Sequence, residues 1–271
     1  MVDQLIEERA PGLAASPAWP VVSFLLRPLL NYRAARRMAD AIAPLEGTAA
    51  LDHVSGLLRL DARACGIERV PARGACLVMA NHPTGIADGI AMYDVLHPRR
   101  PDLCFFANAD SLRVCRGLDD VIVPVVWPAE KRTPASSKVT LRKARQAFDA
   151  ERAVVVFPAG ALARRKGGRI QDPPWEHSAV ALARRHAVPI VPVHVTGPFP
   201  RLFHLFDRFS SELRDVTLFH ELLNKVGGAY RLTFGHPIAA GDLEENNEAA
   251  TLRLKDHVER VLPHDPDARL S

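Results

Sequence analysis

The segment that most limits the fold begins just after Ala75. Cys76-Leu77-Val78-Met79-Ala80 is apolar at every position and stops abruptly at Asn81-His82-Pro83-Thr84-Gly85-Ile86-Ala87-Asp88-Gly89. A short apolar run closed by turn residues reads as a buried strand. Pro83 and Gly85 break the run, and Ile86 to Leu96 can continue as a helix. His82 is therefore expected where a strand ends and a helix begins.

Further stretches repeat this alternation. Val154-Val155-Val156-Phe157 reads as a second buried strand, and Ile190 to Val195 as another. Leu103 to Phe106, the β-branched Val121 to Trp127, and Tyr230 to Phe234 are further strand candidates. Leu57 to Ile67 is expected to be a strand joined to the Ala80 strand by a turn at Pro71 to Gly74. Ser136 to Glu151 has helical spacing, with Val139, Leu141, Ala144 and Phe148 apolar and Lys138, Arg142, Lys143 and Arg145 on the other faces. Ser178 to His186 and Leu252 to Leu262 also read as helices. The expectation is an α/β fold: a central mixed β-sheet flanked by helices, with an N-terminal helical segment.

The domain expectation is a helical segment over residues 1–50, a main domain over 51–262 and a loose tail over 263–271. Within the first, Trp19 to Tyr32 carries Val21, Val22, Phe24, Leu25, Leu26, Leu29 and Leu30, trailed by Arg33, Arg36 and Arg37. That pattern fits a helix lying in a membrane interface. It equally fits a core-packing helix with a solvated basic end.

Composition narrows the classes. Across 271 residues, 48% hydrophobic and 24% charged content are those of a folded globular chain. A formal charge of +4 with pI near 9.0 suits an anionic surface or substrate. No basic stripe is interleaved with aromatics, so nucleic acid is not an expected partner. Cys65, Cys76, Cys104 and Cys115 form no Cys-x-x-Cys pair, which favours buried free thiols in a reducing compartment over disulfides or zinc. No secretory-signal pattern opens the chain and no apolar run reaches membrane-spanning length.

Two loops carry candidate chemistry. At the end of a sheet strand, His82 with an acid six residues on reads as a base and its orienting partner. The Asp88 carboxylate would hold one imidazole nitrogen, leaving the other to take a proton from a hydroxyl. The alternative is a turn histidine with Asp88 as an ordinary polar helix residue. The second loop, Pro158-Ala159-Gly160, is followed by Arg164, Arg165, Lys166 and Arg169 around Gly167 and Gly168. Such a flexible cationic loop suits a phosphate or carboxylate, or simply solvent. Phe199 to Phe209 suits an acyl pocket or ordinary core packing.

Together these stretches resemble the glycerolipid acyltransferase superfamily, and within it the bacterial hemolysin-like and ornithine-lipid-type branch. The residues that carry the likeness are Asn81 to Gly89, Phe157-Pro158-Ala159-Gly160 and Ile190-Val191-Pro192-Val193. Asp172-Pro173-Pro174-Trp175 and Glu221-Leu222-Leu223-Asn224-Lys225 support it, and the likeness runs from about Leu57 to Ile238. The resemblance implies O-acyl transfer from an acyl thioester, carried by coenzyme A or acyl carrier protein, to a lysolipid hydroxyl at the cytoplasmic membrane face. It implies no bound cofactor or metal. His82 and Asp88 would be the catalytic pair. Asn81, Thr84, Gly85, Phe157, Pro158, Gly160, Arg164 and Arg165 would contact substrate.

Two departures stand out. Five residues separate His82 from Asp88, where the wider family has four. The family's Phe-Pro-Glu-Gly-Thr-Arg block stands here as Phe157-Pro158-Ala159-Gly160-Ala161-Leu162, without its acid and its arginine. Arg164 or Arg165 would then supply the charge from a shifted position. A non-catalytic lipid-binding protein and a thioester or ester hydrolase using the same pair are the competing functions.

Overall fold

A computed structural model describes residues 2–127, 129–166 and 169–270. Nine strands are described: β1 (Asp61–Cys65), β2 (Cys76–Ala80), β3 (Cys104–Asn108), β4 (Ile122–Val125), β5 (Ala153–Val156), β6 (Arg164–Lys166), β7 (Arg169–Gln171), β8 (Ile190–Thr196) and β9 (Ala229–Phe234). Seven of them form one sheet in the order β1-β9-β8-β2-β5-β3-β4. Every neighbouring pair is parallel except β8 and β9, so the sheet is mixed, as expected. β6 and β7 form a separate antiparallel hairpin.

The apolar strands are apolar on both sides because both sides are covered. Cys76, Val78 and Ala80 of β2 point into one core, with the helices Tyr32–Ile42, Thr48–Leu58 and Ile86–Leu96. Leu77 and Met79 point into the other, with the helices Pro134–Asp149, Ser178–Arg185 and Asn247–Asp256. β5 alternates in the same way, Ala153 and Val155 against Val154 and Val156. The strand ends that carry His82 and Phe157 therefore leave the middle of a helix-covered sheet side by side, since β2 pairs directly with β5.

Four expectations are corrected. Leu57 and Leu58 end a helix, and the strand that follows is not the hairpin partner of β2. β1 pairs with β9 at the far edge of the sheet, three strands away from β2. The cationic stretch after Gly160 is ordered in the β6–β7 hairpin, while Gly167 and Gly168 lie outside the described residues. The last helix runs as an α-helix over Asn247–Asp256 and widens into a π-turn over His257–Val261. Cys65 is exposed, unlike the other three cysteines, and all four thiols are free.

Trp19–Leu29 is a helix with no fully buried residue. Leu26 and Leu30 face a small cluster with Leu202 and Val216, whereas Val21, Phe24, Leu25 and Leu29 face outward. No helix among the described residues is long and apolar enough to cross a membrane. At the other end of the chain, Arg69 donates to the Pro266 carbonyl and the Asp267 carboxylate.

Candidate active site

The β2 ladder runs out at Ala80, opposite Val193. Asn81 extends it with its side chain: Nδ2 donates to the Val195 carbonyl at 3.0 Å, and Oδ1 accepts from the Val195 N–H at 2.6 Å. Both ends of this buried amide are thereby committed to main chain, and its role is to fix where the next residue starts. Pro83 then turns the chain. Gly85 adopts φ 92°, ψ −142°, a conformation closed to residues with a side chain, and a Cβ there would press on Leu162 at 3.0 Å. The helix Ile86–Leu96 follows at once, with Asp88 in its first turn.

That turn folds Asp88 back over the residues before it. Its Oδ2 accepts from the main-chain N–H of Thr84 at 2.9 Å and of Gly85 at 3.1 Å, and lies 2.9 Å from His82 Nδ1. Its Oδ1 accepts from the Thr84 hydroxyl at 2.6 Å. Asp88 is wholly buried, so a carboxylate here must be met by donors, and these are the donors. The carboxylate can only accept, which puts the proton of neutral His82 on Nδ1 and leaves the lone pair on Nε2. No described residue bonds to Nε2, and the imidazole keeps 17% of its surface exposed. The side chain is thus anchored at one nitrogen and open at the other.

Phe157, at the end of the neighbouring β5, stacks on the His82 ring at 4.4 Å between centroids and 26° between planes. Gly160 closes a turn by donating to the Phe157 carbonyl at 3.0 Å, and Pro158 accepts from the Glu176 N–H at 3.0 Å. Ala163 N–H donates to the His82 carbonyl at 2.9 Å, so the β6 strand starts against the histidine. Arg164 and Arg165 follow immediately, exposed, their main chain paired in the β6–β7 hairpin and their side chains without a hydrogen bond or ion pair among the described residues. Their charges are felt at His204 on the helix Arg201–Asp207. His204 on that helix is held below the usual histidine range chiefly by burial; Asp207 and Glu221 oppose this, and Arg165 and Arg164 add to it. His204 stacks on Phe199 at 4.5 Å.

The structure thus gathers His82, Asp88, Thr84, Gly85 and Phe157 into one cluster, with Arg164 and Arg165 at its rim. Asn81, Thr84 and Gly85 spend their polar groups on building the turn.

Three residues of the cluster carried no assigned role in the sequence reading. Tyr230 of β9 meets the Thr84 hydroxyl at 2.8 Å. Because that hydroxyl already donates to Asp88, Tyr230 must donate to it, and burial keeps the phenol protonated by pushing its pKa up. Gly197 makes room for this: a Cβ there would lie 2.4 Å from the Tyr230 ring. Asp172 meets His82 and Trp175 holds Asp172: the Asp172 carboxylate accepts from the His82 main-chain N–H at 3.1 and 3.2 Å and from the Trp175 indole at 2.8 Å. Tyr230→Phe is expected to lower turnover by a factor of about 5–10, the worth of one hydrogen bond in a buried chain, with substrate KM unchanged. Steady-state kinetics check this.

Comparison with known proteins is consistent across three kinds of likeness. The family model described as Acyltransferase matches residues 50–262. The chain belongs to the acyltransferase family. It is 26% identical over 179 residues to a lyso-glycine lipid O-acyltransferase of Phocaeicola vulgatus, covering 64% of this chain and 62% of the relative. It is 27% identical over 179 residues to the lyso-glycine lipid O-acyltransferase of Bacteroides thetaiotaomicron, covering 64% of each. The matched region therefore spans somewhat less than two thirds of these relatives. In three dimensions the crystal structure of the 1-acyl-sn-glycerophosphate (LPA) acyltransferase PlsC from Thermotoga maritima superposes with a TM-score of 0.51 at 17% identity, over 97% of both chains. At that identity the likeness establishes the fold alone.

Proposed function

We propose that the chain transfers a fatty acyl group from an acyl thioester to the hydroxyl of a lysolipid, with His82 as general base. The observation that carries the reading is the 2.9 Å His82–Asp88 contact, with Nδ1 anchored and Nε2 open, in a chain of the acyltransferase family. Nε2 takes the proton of the acceptor hydroxyl as its oxygen attacks the thioester carbonyl. The tetrahedral intermediate collapses with cleavage of the C–S bond, and the imidazolium returns its proton to the departing thiolate. The products are an ester and a free thiol. Asp88 stabilises the imidazolium between the two steps. A thioester is already activated, so placing the alcohol and removing its proton are the main demands on the protein.

The relatives' acceptor, a lyso-glycine lipid, supports a lysolipid acceptor here. Arg164 and Arg165 would hold an anionic headgroup beside His82. The acyl donor is coenzyme A or acyl carrier protein. The deciding experiment is thiol release from both donors against a panel of lysolipids. Release that requires an acceptor supports the transferase. Release without acceptor identifies a hydrolase, and no release with either donor leaves a lipid-binding protein.

The reading also places the protein at the cytoplasmic face of a membrane, through Trp19–Leu29. Phe24 is 72% and Leu25 65% exposed, both turned away from the cluster that Leu26 packs against. Arg33, Arg36 and Arg37 lie just beyond, suited to anionic lipid. Replacing both Phe24 and Leu25 by Asp is expected to weaken partition onto anionic vesicles by about tenfold or more, from lost apolar burial alone. Flotation of the two proteins reads this, and equal flotation removes the helix from the account.

A further inference from the structure

Asp172 follows the β7 strand and is 5% exposed. Both of its carboxylate oxygens lie within hydrogen-bond reach of the His82 main-chain N–H, at 3.1 and 3.2 Å. Its Oδ2 also accepts from the Trp175 indole at 2.8 Å. Its own N–H donates to Glu259 Oε1 at 2.7 Å, and Glu259 in turn pairs with Lys255. No arginine or lysine among the described residues bonds Asp172. The charged groups that face it are His82 and Glu259, the second of the same sign.

A buried carboxylate with neutral donors and no cation is costly, and proteins seldom keep one for stability. Its pKa shows the strain: burial pushes Asp172 up to about 6, against the pull of the Trp175 and His82 donors. The sign of the stability effect follows. A carboxyl whose folded pKa is raised destabilises the fold when ionised, and that loss develops as pH rises from the unfolded value through about 6. At neutral pH the protein therefore carries a charge that its own fold disfavours. Among the described residues, the positive charge placed to answer it is the His82 imidazolium that forms when the ring takes the hydroxyl proton.

We propose that Asp172 is a second positioning carboxylate of the site, holding His82 by its main chain and favouring the imidazolium formed during transfer. The proposal rests on the reading of His82 as the base. Asp88 acts on the ring at Nδ1 and Asp172 on the backbone. The two come from different segments, one six and one ninety residues from His82. Trp175 and the Glu259 contact fix the orientation of Asp172 and so make the field a built-in one.

Asp172→Asn separates this role from a structural one. The amide oxygen can still accept from His82 and Trp175, while the charge is gone. The expected result is a kcat about tenfold lower, the worth of one pKa unit of charge stabilisation, with KM for donor and acceptor within about twofold. The melting temperature at pH 8 should be equal to or above that of the wild type, and the His82 amide proton resonance should move upfield. Loss of activity without loss of stability is the signature that a merely structural residue would not give. An unchanged kcat overturns the proposal, as does a kcat that falls only alongside melting temperature, or a change confined to KM. Trp175→Phe, which removes the indole donor and some buried ring volume while leaving the Asp172 charge, is the second variant and should lower kcat by a smaller factor at constant KM; an unchanged kcat overturns the proposal if Asp172→Asn does not fold. Wild-type turnover is the control for the transferase reading. If it is absent that reading falls, and the amide resonance still decides whether Asp172 holds His82.

Discussion

His82→Ala is expected to reduce acyl transfer by about 10³-fold, inside the range for loss of a positioned general base. The fold should survive the change. The imidazole is stacked on Phe157 at the rim of the site rather than enclosed in either core. Asp88, which would lose one donor, keeps three: the N–H groups of Thr84 and Gly85 and the Thr84 hydroxyl. The buried carboxylate is therefore not orphaned, and the melting temperature should move by only a few degrees. Thiol release with both donors and the best acceptor checks the first half, and calorimetry checks the second. Full activity in the variant would leave the Asp88 contact as turn architecture alone and would remove His82 from the chemistry.

The order in which this site became legible follows the range of the interactions that build it. His82 and Asp88 are six residues apart, and the strand, the turn and the helix between them are all written locally: an apolar run, Pro83, Gly85, then a helical stretch. Phe157 could be read for the same reason, as the end of another apolar strand. What was missing came from far along the chain. Tyr230 reaches Thr84 across 146 residues and Asp172 reaches His82 across 90, and nothing near either residue marks the partner. Only the sheet order, which sets β8 between β2 and β9, brings Tyr230 to the dyad.

The misread strand has a related cause. β1 has mostly exposed positions and pairs on one side only, so its pattern carries no information about its neighbour. A turn at Pro71 to Gly74 made pairing with β2 the nearest solution in sequence, but the strands here are parallel. Parallel neighbours need crossovers, and the nearest strand in sequence is then often not the nearest in space.

The largest stability effect is expected far from the chemistry, at Arg100. It is 1% exposed, and its guanidinium binds main-chain carbonyls before β2 and β5 and a carboxylate before β3, three adjacent central strands. Nη1 donates to the Pro71 carbonyl at 2.7 Å, and Nη2 donates to Gly74 and Glu151 carbonyls, each at 2.9 Å. Nε and Nη2 also grip Asp102 with two bonds of 2.8 Å. Gly74 precedes β2, Asp102 precedes β3 and Glu151 precedes β5. One side chain thus ties together the ends of β2, β5 and β3 opposite to those that carry His82 and Phe157. Arg100→Ala would leave three carbonyls short of a donor and the partly exposed Asp102 without its Arg100 partner, and is expected to lose about 3–5 kcal/mol, mostly from the unmet carbonyls. For a domain of ordinary stability that is a large share of the total. The pair also sets a pH limb. The Arg100 hydrogen bond holds Asp102 below the usual carboxylate range, so its contribution is present above the unfolded pKa and is lost as pH falls through the lowered one. Urea unfolding of both proteins at neutral and acid pH tests this: the difference between them should be widest at neutral pH and narrow on acidification. A variant as stable as the wild type would mean that Arg152, which donates to the Asp102, Leu103 and Asp120 carbonyls beside it, holds the strand ends by itself.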